Sequence, residues 1–170
     1  MKINLRSVLQ EERSSVNYES SEVFPSLEFG GESYSFRSPV RVRLQVTNTG
    51  KSLLVQGQVV TEINVPCGRC LEEFAFPLRI DYEDEWVRAG QATEEQEETA
   101  FLFEKDAVEI SPRILEQIML ALPMKFICTP ECRGLCPTCG ANLNKEQCRC
   151  AEKPIDPRLA DLAKWHTGEK

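Results

Sequence analysis

Eight cysteines are the residues of this chain best suited to chemistry, and they come in short pairs. Two of them form Cys67-Gly-Arg-Cys70, and six lie in one stretch downstream: Cys128, Cys132, Cys136, Cys139, Cys148 and Cys150. Cysteines two to four positions apart can bind one ion, so four such pairs supply the ligands of two tetrahedral zinc sites. Pro137 and Gly140 bracket a tight turn whose amide groups can donate to the thiolates. The spacing therefore predicts two structural Zn²⁺ ions.

The order of the pairs predicts how the ligands divide. One set, the local site, closes within a single small loop and consists of Cys136, Cys139, Cys148 and Cys150. The other set, the clasp, joins the middle of the chain to its tail and consists of Cys67, Cys70, Cys128 and Cys132. A single-site alternative leaves four free thiols and uses Cys128, Cys132, Cys136 and Cys139.

Disulfides and redox chemistry are the alternatives to zinc. A disulfide framework is typical of short secreted chains, whereas Met1-Lys-Ile-Asn-Leu-Arg leads into polar residues and not into the apolar region of a signal peptide. A redox Cys-x-x-Cys requires a low-pKa cysteine at a helix start, and the Pro137–Gly140 turn fits a metal site better. We therefore expect reduced cysteines, bound zinc and a cytoplasmic location.

Composition limits the partners. The chain has 170 residues, of which 41% are hydrophobic, so it can form one domain or a domain with an appendage. No apolar run approaches the ~18 residues of a membrane span. The formal net charge of -7 lacks the basic footprint usual in nucleic-acid binders. An RNA contact therefore requires a local basic patch, or else the partner is a basic protein.

An acidic stretch lies between Glu83 and Asp106. A charge run with little apolar content predicts a solvated, flexible loop. The alternative is a docking surface for a basic partner. Its most concentrated part is Glu94, Glu95, Glu97 and Glu98.

Alternation of apolar and polar residues predicts an antiparallel sheet. Lys2–Leu9 form a first strand in this interpretation, and the polar residues 10–22 form a loop. Side chains that alternate between a buried and a solvated face are typical of antiparallel strands. Three such segments follow: Val40–Val46, Leu53–Val65 and Phe74–Tyr82.

The predicted turns and helices complete the architecture. Asn48-Thr-Gly50 marks a hairpin turn, and Phe101–Phe103 forms a short strand. Ser111 as N-cap and Pro112 at the first position open a helix over 111–122. Its apolar stripe packs on the sheet and consists of Ile114, Leu115, Ile118, Met119 and Leu122.

A last helix is predicted beyond Cys150, with Asp156 as its N-cap. Its apolar stripe is Leu159, Leu162 and Trp165. His166, the one histidine of the chain, lies beside that stripe and is interpreted as a surface residue.

Motifs of catalysis are missing from the sequence. We find no nucleophile elbow, phosphate-binding glycine loop or dinucleotide fingerprint. A catalytic zinc keeps an open position and usually has histidine or carboxylate ligands, whereas sets of four cysteines are closed. The sequence therefore predicts a protein that is not an enzyme.

Several pieces of the chain, taken in order, resemble the YceD family, also called DUF177. The pieces are Cys67-Gly-Arg-Cys70-Leu, Leu120-Ala-Leu-Pro123, Cys132-Arg-Gly-Leu-Cys136-Pro-Thr-Cys-Gly-Ala-Asn-Leu-Asn144, Cys148-Arg-Cys150 and Asp156-Pro-Arg-Leu-Ala160. The resemblance implies a role in the accumulation or processing of large-subunit (23S) ribosomal RNA. Genes of this family commonly neighbour the gene for ribosomal protein L32. Some members lack the cluster from Cys136 to Cys150, which marks that cluster as an elaboration.

These observations predict an α+β protein with an antiparallel β-rich sheet or partial barrel packed with one or two helices. The predicted division is a β-rich domain over 1–127 and a zinc-binding C-terminal segment over 128–170. The first functional hypothesis is a non-enzymatic ribosome-assembly factor that binds precursor ribosomal RNA or a pre-ribosomal particle. The second is an acidic adaptor or chaperone for a basic ribosomal protein such as L32. The candidate RNA contacts are Arg41, Arg43, Arg69, Arg133, Lys145 and Arg149.

Overall fold

The computed structural model describes residues 1–148, Cys150 and Arg158. Long strands rich in β-branched residues make up its centre, and the helices are short. The elements, in chain order, are β1 Lys2–Asn4, α1 Arg6–Leu9, β2 Ser15–Glu22, β3 Ser26–Phe29, β4 Glu32–Ser35, β5 Val40–Asn48, β6 Leu53–Pro66, β7 Glu73–Arg88, α2 Glu94–Thr99, β8 Phe101–Phe103, β9 Ala107–Glu109 and α3 Ser111–Ala121.

A five-stranded sheet in the order β2-β5-β6-β7-β8 organises the described chain. Its pairs are antiparallel except β7–β8, which is parallel. Val59 of β6 faces Val42 on one side and Ile80 on the other, so apolar residues of neighbouring strands share one face. The predicted sheet-rich fold and its three long strands are confirmed, whereas the partial barrel stays a prediction.

The inner face of the sheet carries the core. Val42, Val46 and Val55 are buried there, and Ile114 and Ile118 of α3 belong to the same buried cluster. Two small sheets, β1–β9 and β3–β4, also contribute buried side chains to it. The predicted apolar stripe of the 111–122 helix therefore does pack on the sheet.

A buried carboxylate ties α3 to β7. Asp84 accepts hydrogen bonds from the Tyr82 hydroxyl at 2.8 Å, from Trp86 Nε1 at 3.2 Å and from Arg113 Nε at 2.9 Å. Burial, and then the charge of Asp84, raises the pKa of Tyr82. The hydrogen bond to Asp84 likewise raises the pKa of Arg113. The site thus satisfies its charge internally and fixes the helix on the strand.

The opposite face of the sheet is exposed to solvent. Along β5 and β6 every second side chain points outward, and the exposed ones include Arg41, Gln45, Gln56 and Gln58. We refer to this surface as the open face. Because no described element covers it, its polar side chains are available to a partner.

The prediction of a loop over residues 10–22 is wrong in its second half, where β2 pairs with β5. At this sheet edge the inward side chains Val16, Tyr18 and Ser20 are only half-buried. Polar residues are therefore tolerated on both faces, and the apolar alternation that reveals a strand is weak. The predicted first strand is also shorter than expected, because Arg6–Leu9 form α1.

Ser111 does not cap α3. The cap position is Ile110, without a side-chain hydrogen bond, and Ser111 is already inside the helix beside Pro112. Its hydroxyl instead lies 2.6 Å from a carboxylate oxygen of Glu109 and 2.7 Å from one of Glu22. The strong local preference for a serine cap is thus overridden by these carboxylates.

The acidic stretch is not the predicted loop over its whole length. Its first part belongs to β7, and Glu94–Thr99 form α2. The Thr93 hydroxyl accepts from the Gln96 amide while the Gln96 side chain accepts from the Thr93 amide, which is a capping box. Carboxylates in the first turn of a helix also stabilise it, because their negative charge interacts favourably with the helix dipole. The last helix predicted beyond Cys150, with Asp156 and His166, lies outside the described residues.

Candidate functional site

The clasp cysteines meet at the end of the sheet. Cys67 and Cys70 lie in the turn between β6 and β7, and Cys128 and Cys132 follow α3. The sulfur atoms of Cys67 and Cys132 are 3.9 Å apart, and those of Cys70 and Cys128 are 3.8 Å apart. Four sulfurs about 2.3 Å from one zinc would be separated by about 3.8 Å along each tetrahedral edge. The clasp therefore has the dimensions of a four-thiolate zinc site.

The local site gathers the other four cysteines. The sulfur atoms of Cys139 and Cys148 are 3.6 Å apart, and those of Cys136 and Cys148 are 3.2 Å apart. All four ligand atoms lie within 4.8 Å of one another, as they do in the clasp. The structure thus brings together the two sets expected from the order of the pairs. It does not bring together the set of the single-site alternative, and all eight cysteines are free of disulfides.

Two turns with the same backbone geometry hold the first ligands of each site. In the clasp the Arg69 amide donates to Cys67 Sγ at 3.4 Å, and in the local site the Thr138 amide donates to Cys136 Sγ at 3.4 Å. The residue after each second cysteine is left-handed: Leu71 has φ 61° and Gly140 has φ 75°. Glycine accepts that conformation without strain, whereas leucine does not.

Amide donors lower the pKa of the first cysteine of each set. Burial raises the pKa of Cys67, but amides of Cys128, Cys70 and Arg69 outweigh it and hold the pKa at about 6. Backbone donors of Cys139 and Thr138 lower the pKa of Cys136 to about 6.

A further thiol of each set has its pKa shifted in the opposite direction. Burial and the neighbouring thiols raise the pKa of Cys128 to about 12. Cys148 and Cys139 raise the pKa of Cys150 to about 12. Four thiolates this close repel one another, so full ionisation of each set requires a cation. The donor sets therefore fit a divalent metal, and four sulfurs leave no open position for a substrate.

Side chains around the clasp secure the chain that follows it. Arg69 Nη1 donates to the carbonyl oxygens of Pro130 and Cys132, each at 3.0 Å. Asn144 Nδ2 donates to Cys132 Sγ at 3.4 Å, and Lys145 forms an ion pair with Glu72. Asn144 was not singled out by sequence reasoning, because its role depends on a fold-back of the loop.

The candidate RNA contacts differ in whether their charge is already paired. Arg43 pairs with Glu19 at 2.9 Å, and Arg69 and Lys145 have the partners described above. The exposed side chains of Arg41 and Arg133 have no hydrogen-bond or ion-pair partner among the described residues. Arg149 lies outside them. The RNA-binding role of all six residues stays a prediction.

Sequence reasoning missed one cation of the open face. Val60 of β6 faces Arg41 on β5 and Arg79 on β7, so the two exposed arginines lie in one cross-strand row. Arg79 also has no partner within the described part of the chain. Its outward direction follows from the alternation in β7, but its neighbour across two strands depends on the register.

A groove of about 640 Å³ crosses the open face beside this row. Its polar lining consists of Asn17, Glu19, Arg43, Gln45 and Gln56, and its floor includes Gly57, which has no side chain. A Cβ on Gly57 would lie 1.9 Å from the carbonyl oxygen of Arg43, so β5 and β6 approach closely here. The groove is therefore a feature of the strand pair and not of one flexible loop.

The fold and the two cysteine sets define a sheet-rich protein that could hold two metal ions in closed, structural sites. A sequence model of the family described as "Large ribosomal RNA subunit accumulation protein YceD" matches residues 55–165. The chain belongs to this family, which confirms the resemblance found in the sequence.

Relatives in bacteria and plants share the same region. An uncharacterised Mycobacterium tuberculosis protein is 30% identical over 121 residues, which cover 70% of this chain and 58% of that protein. An uncharacterised Bacillus subtilis protein is 27% identical over 128 residues, covering 75% of this chain and 74% of its own length. The Arabidopsis thaliana protein named "Large ribosomal RNA subunit accumulation protein YCED homolog 1, chloroplastic" is 29% identical over 157 residues, which cover 76% of this chain and 49% of that protein.

The chain spans 58% of the length of the mycobacterial relatives it matches. No solved structure matches the chain. Within the described residues, no helix has both the length and the apolar character needed to cross a membrane.

Proposed function

We propose that this chain is a non-enzymatic assembly factor that promotes the accumulation or processing of large-subunit (23S) ribosomal RNA by binding precursor RNA. Membership of the YceD family carries the proposal, since relatives are named for the accumulation of that RNA. Closed cysteine sets support a structural use of metal and leave no position for hydrolytic chemistry. The place of action in this proposal is the cytoplasm.

The metal in both sites is, in this proposal, Zn²⁺. All-cysteine ligands with tetrahedral spacing favour it over calcium or magnesium, which take oxygen ligands. The ions would fasten a C-terminal segment over 128–170 to a β-rich domain over 1–127. The clasp holds the boundary itself, because Cys67 and Cys70 belong to the first part and Cys128 and Cys132 to the second.

Depletion of the protein from cells that express it tests the cellular role. We expect the ratio of large- to small-subunit ribosomal RNA to fall and to recover when the chain is supplied again. Crosslinking in the same cells, followed by sequencing of bound RNA, should recover large-subunit precursors. An unchanged ratio together with no enriched RNA would overturn the proposal.

A second candidate is an acidic adaptor for a basic ribosomal protein. The observation that favours it is a continuous acidic surface on one side of the sheet. Gln96 Nε2 of α2 donates to Glu85 of β7 at 3.0 Å, which places the helix carboxylates beside those of the strand. Identification of crosslinked proteins in the same experiment separates the two candidates, because an adaptor would recover a basic protein in place of RNA.

A further inference from the structure

We infer that the groove of the open face binds unstacked bases of single-stranded RNA, with adenine favoured, while the Arg41–Arg79 row binds the adjoining phosphates. The inference rests on the proposed function and assigns it a binding site. It is carried by an uncovered groove, amide side chains without partners, and two unpaired arginines.

The groove has the size and openness for a flexible strand. Its volume of about 640 Å³ lies within the ~300–1,000 Å³ of small-ligand sites. The groove lies on the three antiparallel strands β2, β5 and β6, and an uncovered sheet face can bind single-stranded RNA whose bases are splayed out. A duplex keeps its bases stacked and its deep groove closed to side chains.

Amides form a row across the groove. Asn17 faces Gln45 on β5, and Gln45 faces Gln56 on β6. Asn17 and Gln45 have no hydrogen-bond partner among the described residues, and both are exposed. Each therefore offers a donor and an acceptor together. That pair matches the N6 donor and N7 acceptor of adenine, which asparagine and glutamine bind in a bidentate manner.

Gln56 is held in place by its neighbour. Its Nε2 donates to Glu83 at 3.3 Å, which leaves its carbonyl oxygen for a base. Arg43 is held similarly, since only its Nε pairs with Glu19. Its terminal nitrogens stay available to a third phosphate of the strand.

The two unpaired arginines set the direction of the strand. Arg41 and Arg79 flank Val60, and the amide row begins four residues further along β5, which is about 13 Å at the rise of a strand. Beyond the arginine row β7 becomes acidic, with Asp81 facing Gln58 and Glu83 facing Gln56. Phosphates would be repelled from that side, so the backbone of the RNA must lie toward the arginines. This polarity favours RNA over a lysine-rich peptide, which the arginine row would repel.

Binding of a short oligoadenylate to the full chain, measured by fluorescence anisotropy at several salt concentrations, tests the inference. Three phosphate contacts, from Arg41, Arg43 and Arg79, predict a slope of log affinity against log salt of about -2. Oligoadenylate should bind more tightly than oligouridylate or an A-form duplex. Asn17→Ala with Gln45→Ala should lower the affinity for oligoadenylate by roughly 5- to 100-fold and make it equal to the affinity for oligouridylate.

Arg41→Ala with Arg79→Ala should weaken every RNA probe alike and bring the slope to about -0.7. Two matched controls remove side chains of the same kind outside the proposed site. The first is Gln58→Ala on the open face, since the Gln58 amide nitrogen already donates to Asp81 at 3.0 Å. The second is Arg6→Ala with Lys105→Ala, which removes two cations away from the open face. Both should bind like the unchanged chain.

The outcomes separate this inference from the proposed function. RNA binding that survives in the groove and arginine variants would overturn the assignment of the site and leave the proposed function standing. No RNA binding by the unchanged chain would overturn both. Binding of polylysine that depends on Asn17 and Gln45, without RNA binding, would make the face a protein-docking surface and overturn the inference.

Discussion

The structural role of some residues, such as Asp84, cannot be inferred from the residue type alone. Asp84 is a carboxylate placed on the buried face of β7, where its side chain is 5% exposed. It is tolerated there because Tyr82, Trp86 and Arg113 all donate to it. A buried charge with this many donors fixes the register of a helix on a strand, and removal of one partner leaves the others unsatisfied.

Asp84→Asn should lower the free energy of unfolding by about 3 kcal/mol, because Arg113 would lose its buried counter-charge. Urea denaturation followed by tryptophan fluorescence measures the change. Arg43→Gln is the matched control: it breaks an ion pair whose side chains are 79% and 68% exposed, and such pairs contribute less than about 1 kcal/mol. Equal effects of the two substitutions would contradict the structural role of Asp84.

Leu71 is a second residue whose position matters more than its type. It is 66% exposed and left-handed, with φ 61°. An ordinary position favours alanine over glycine by about 0.5–1 kcal/mol. At position 71 we expect the reverse, with Leu71→Gly more stable than Leu71→Ala by up to about 1 kcal/mol, because glycine relieves the strain.

The comparison needs a site with ordinary backbone. Glu73→Gly and Glu73→Ala supply it two residues further on, in β7, where the alanine variant should be the more stable. Thermal unfolding of the four variants, all purified in the same way, gives both differences. The same order of stability at both positions would show that Leu71 is unstrained in solution.

Among the elements, the two cysteine turns show that one backbone shape serves two tasks. The turn at Cys67 joins two long strands, whereas the turn at Cys136 lies in a chain with little regular structure around it. Leu71 and Gly140 amides donate to the carbonyl oxygens of Cys67 and Cys136, at 2.8 and 2.9 Å. Loss of metal should therefore disturb more of the surrounding structure at the Cys67 turn than at the Cys136 turn.

Protein purified without added metal should contain two zinc equivalents per chain, measured by elemental analysis. Cys136→Ser and Cys67→Ser should each contain one. A structural site of this kind contributes about 10–16 kcal/mol of apparent binding free energy, so the loss is not compensated by weaker ligands. One equivalent in the unchanged chain would remove one of the two sites, and none would remove the metal interpretation.

Hydrogen exchange should show which regions lose amide protection in each of the two cysteine variants. In Cys136→Ser the loss of amide protection should be confined to the loop around the local site, because its ligands are neighbours in sequence. In Cys67→Ser protection should also fall in β6 and β7, because the clasp joins the sheet to the segment after α3. Local effects of equal extent in both variants would contradict the clasp.

The elements also show where sequence reasoning works and where it fails. β5, β6 and most of β7 are predictable because one face is buried and the other solvated. β2 is not, because Val16 and Tyr18 lie at a half-covered edge. The cysteine sets follow from spacing, whereas the Arg41–Arg79 row and the donors to Asp84 depend on register and on α3, which no local pattern contains.

At the scale of the whole molecule, charge is separated and not simply negative. The formal net charge is -7, but Arg41 and Arg79 form one cross-strand row of the open face, and the next two rows hold Asp81 and Glu83 of β7. α2 adds Glu94, Glu95, Glu97 and Glu98, all exposed. A phosphate chain near the arginines would feel the distant acid as a screened repulsion, since the Debye length is about 8 Å at physiological salt.

Replacement of the four α2 glutamates by glutamine should therefore raise the affinity for oligoadenylate several-fold at low salt and leave it unchanged at high salt. The capping box of Thr93 and Gln96 remains, so α2 should persist, and zinc content should not change. If the acidic surface instead binds a basic protein, the same variant should release that protein from pull-downs and have no effect on RNA.

The long reach of the clasp sets an order of assembly. Cys70 and Cys128 are 58 positions apart, whereas Cys139 and Cys148 are separated by 9. In an unfolded chain the longer closure costs about 1.6 kcal/mol more, so encounters in the local set are favoured roughly 15-fold. The local set can load an ion while the rest of the chain is still unfolded, but the clasp must wait until β6, β7 and α3 have found one another. If the two sets bind metal as proposed, an ion in the clasp would be a signature of completed folding, and a cell short of that metal would accumulate chains with an ion in the local site and none in the clasp.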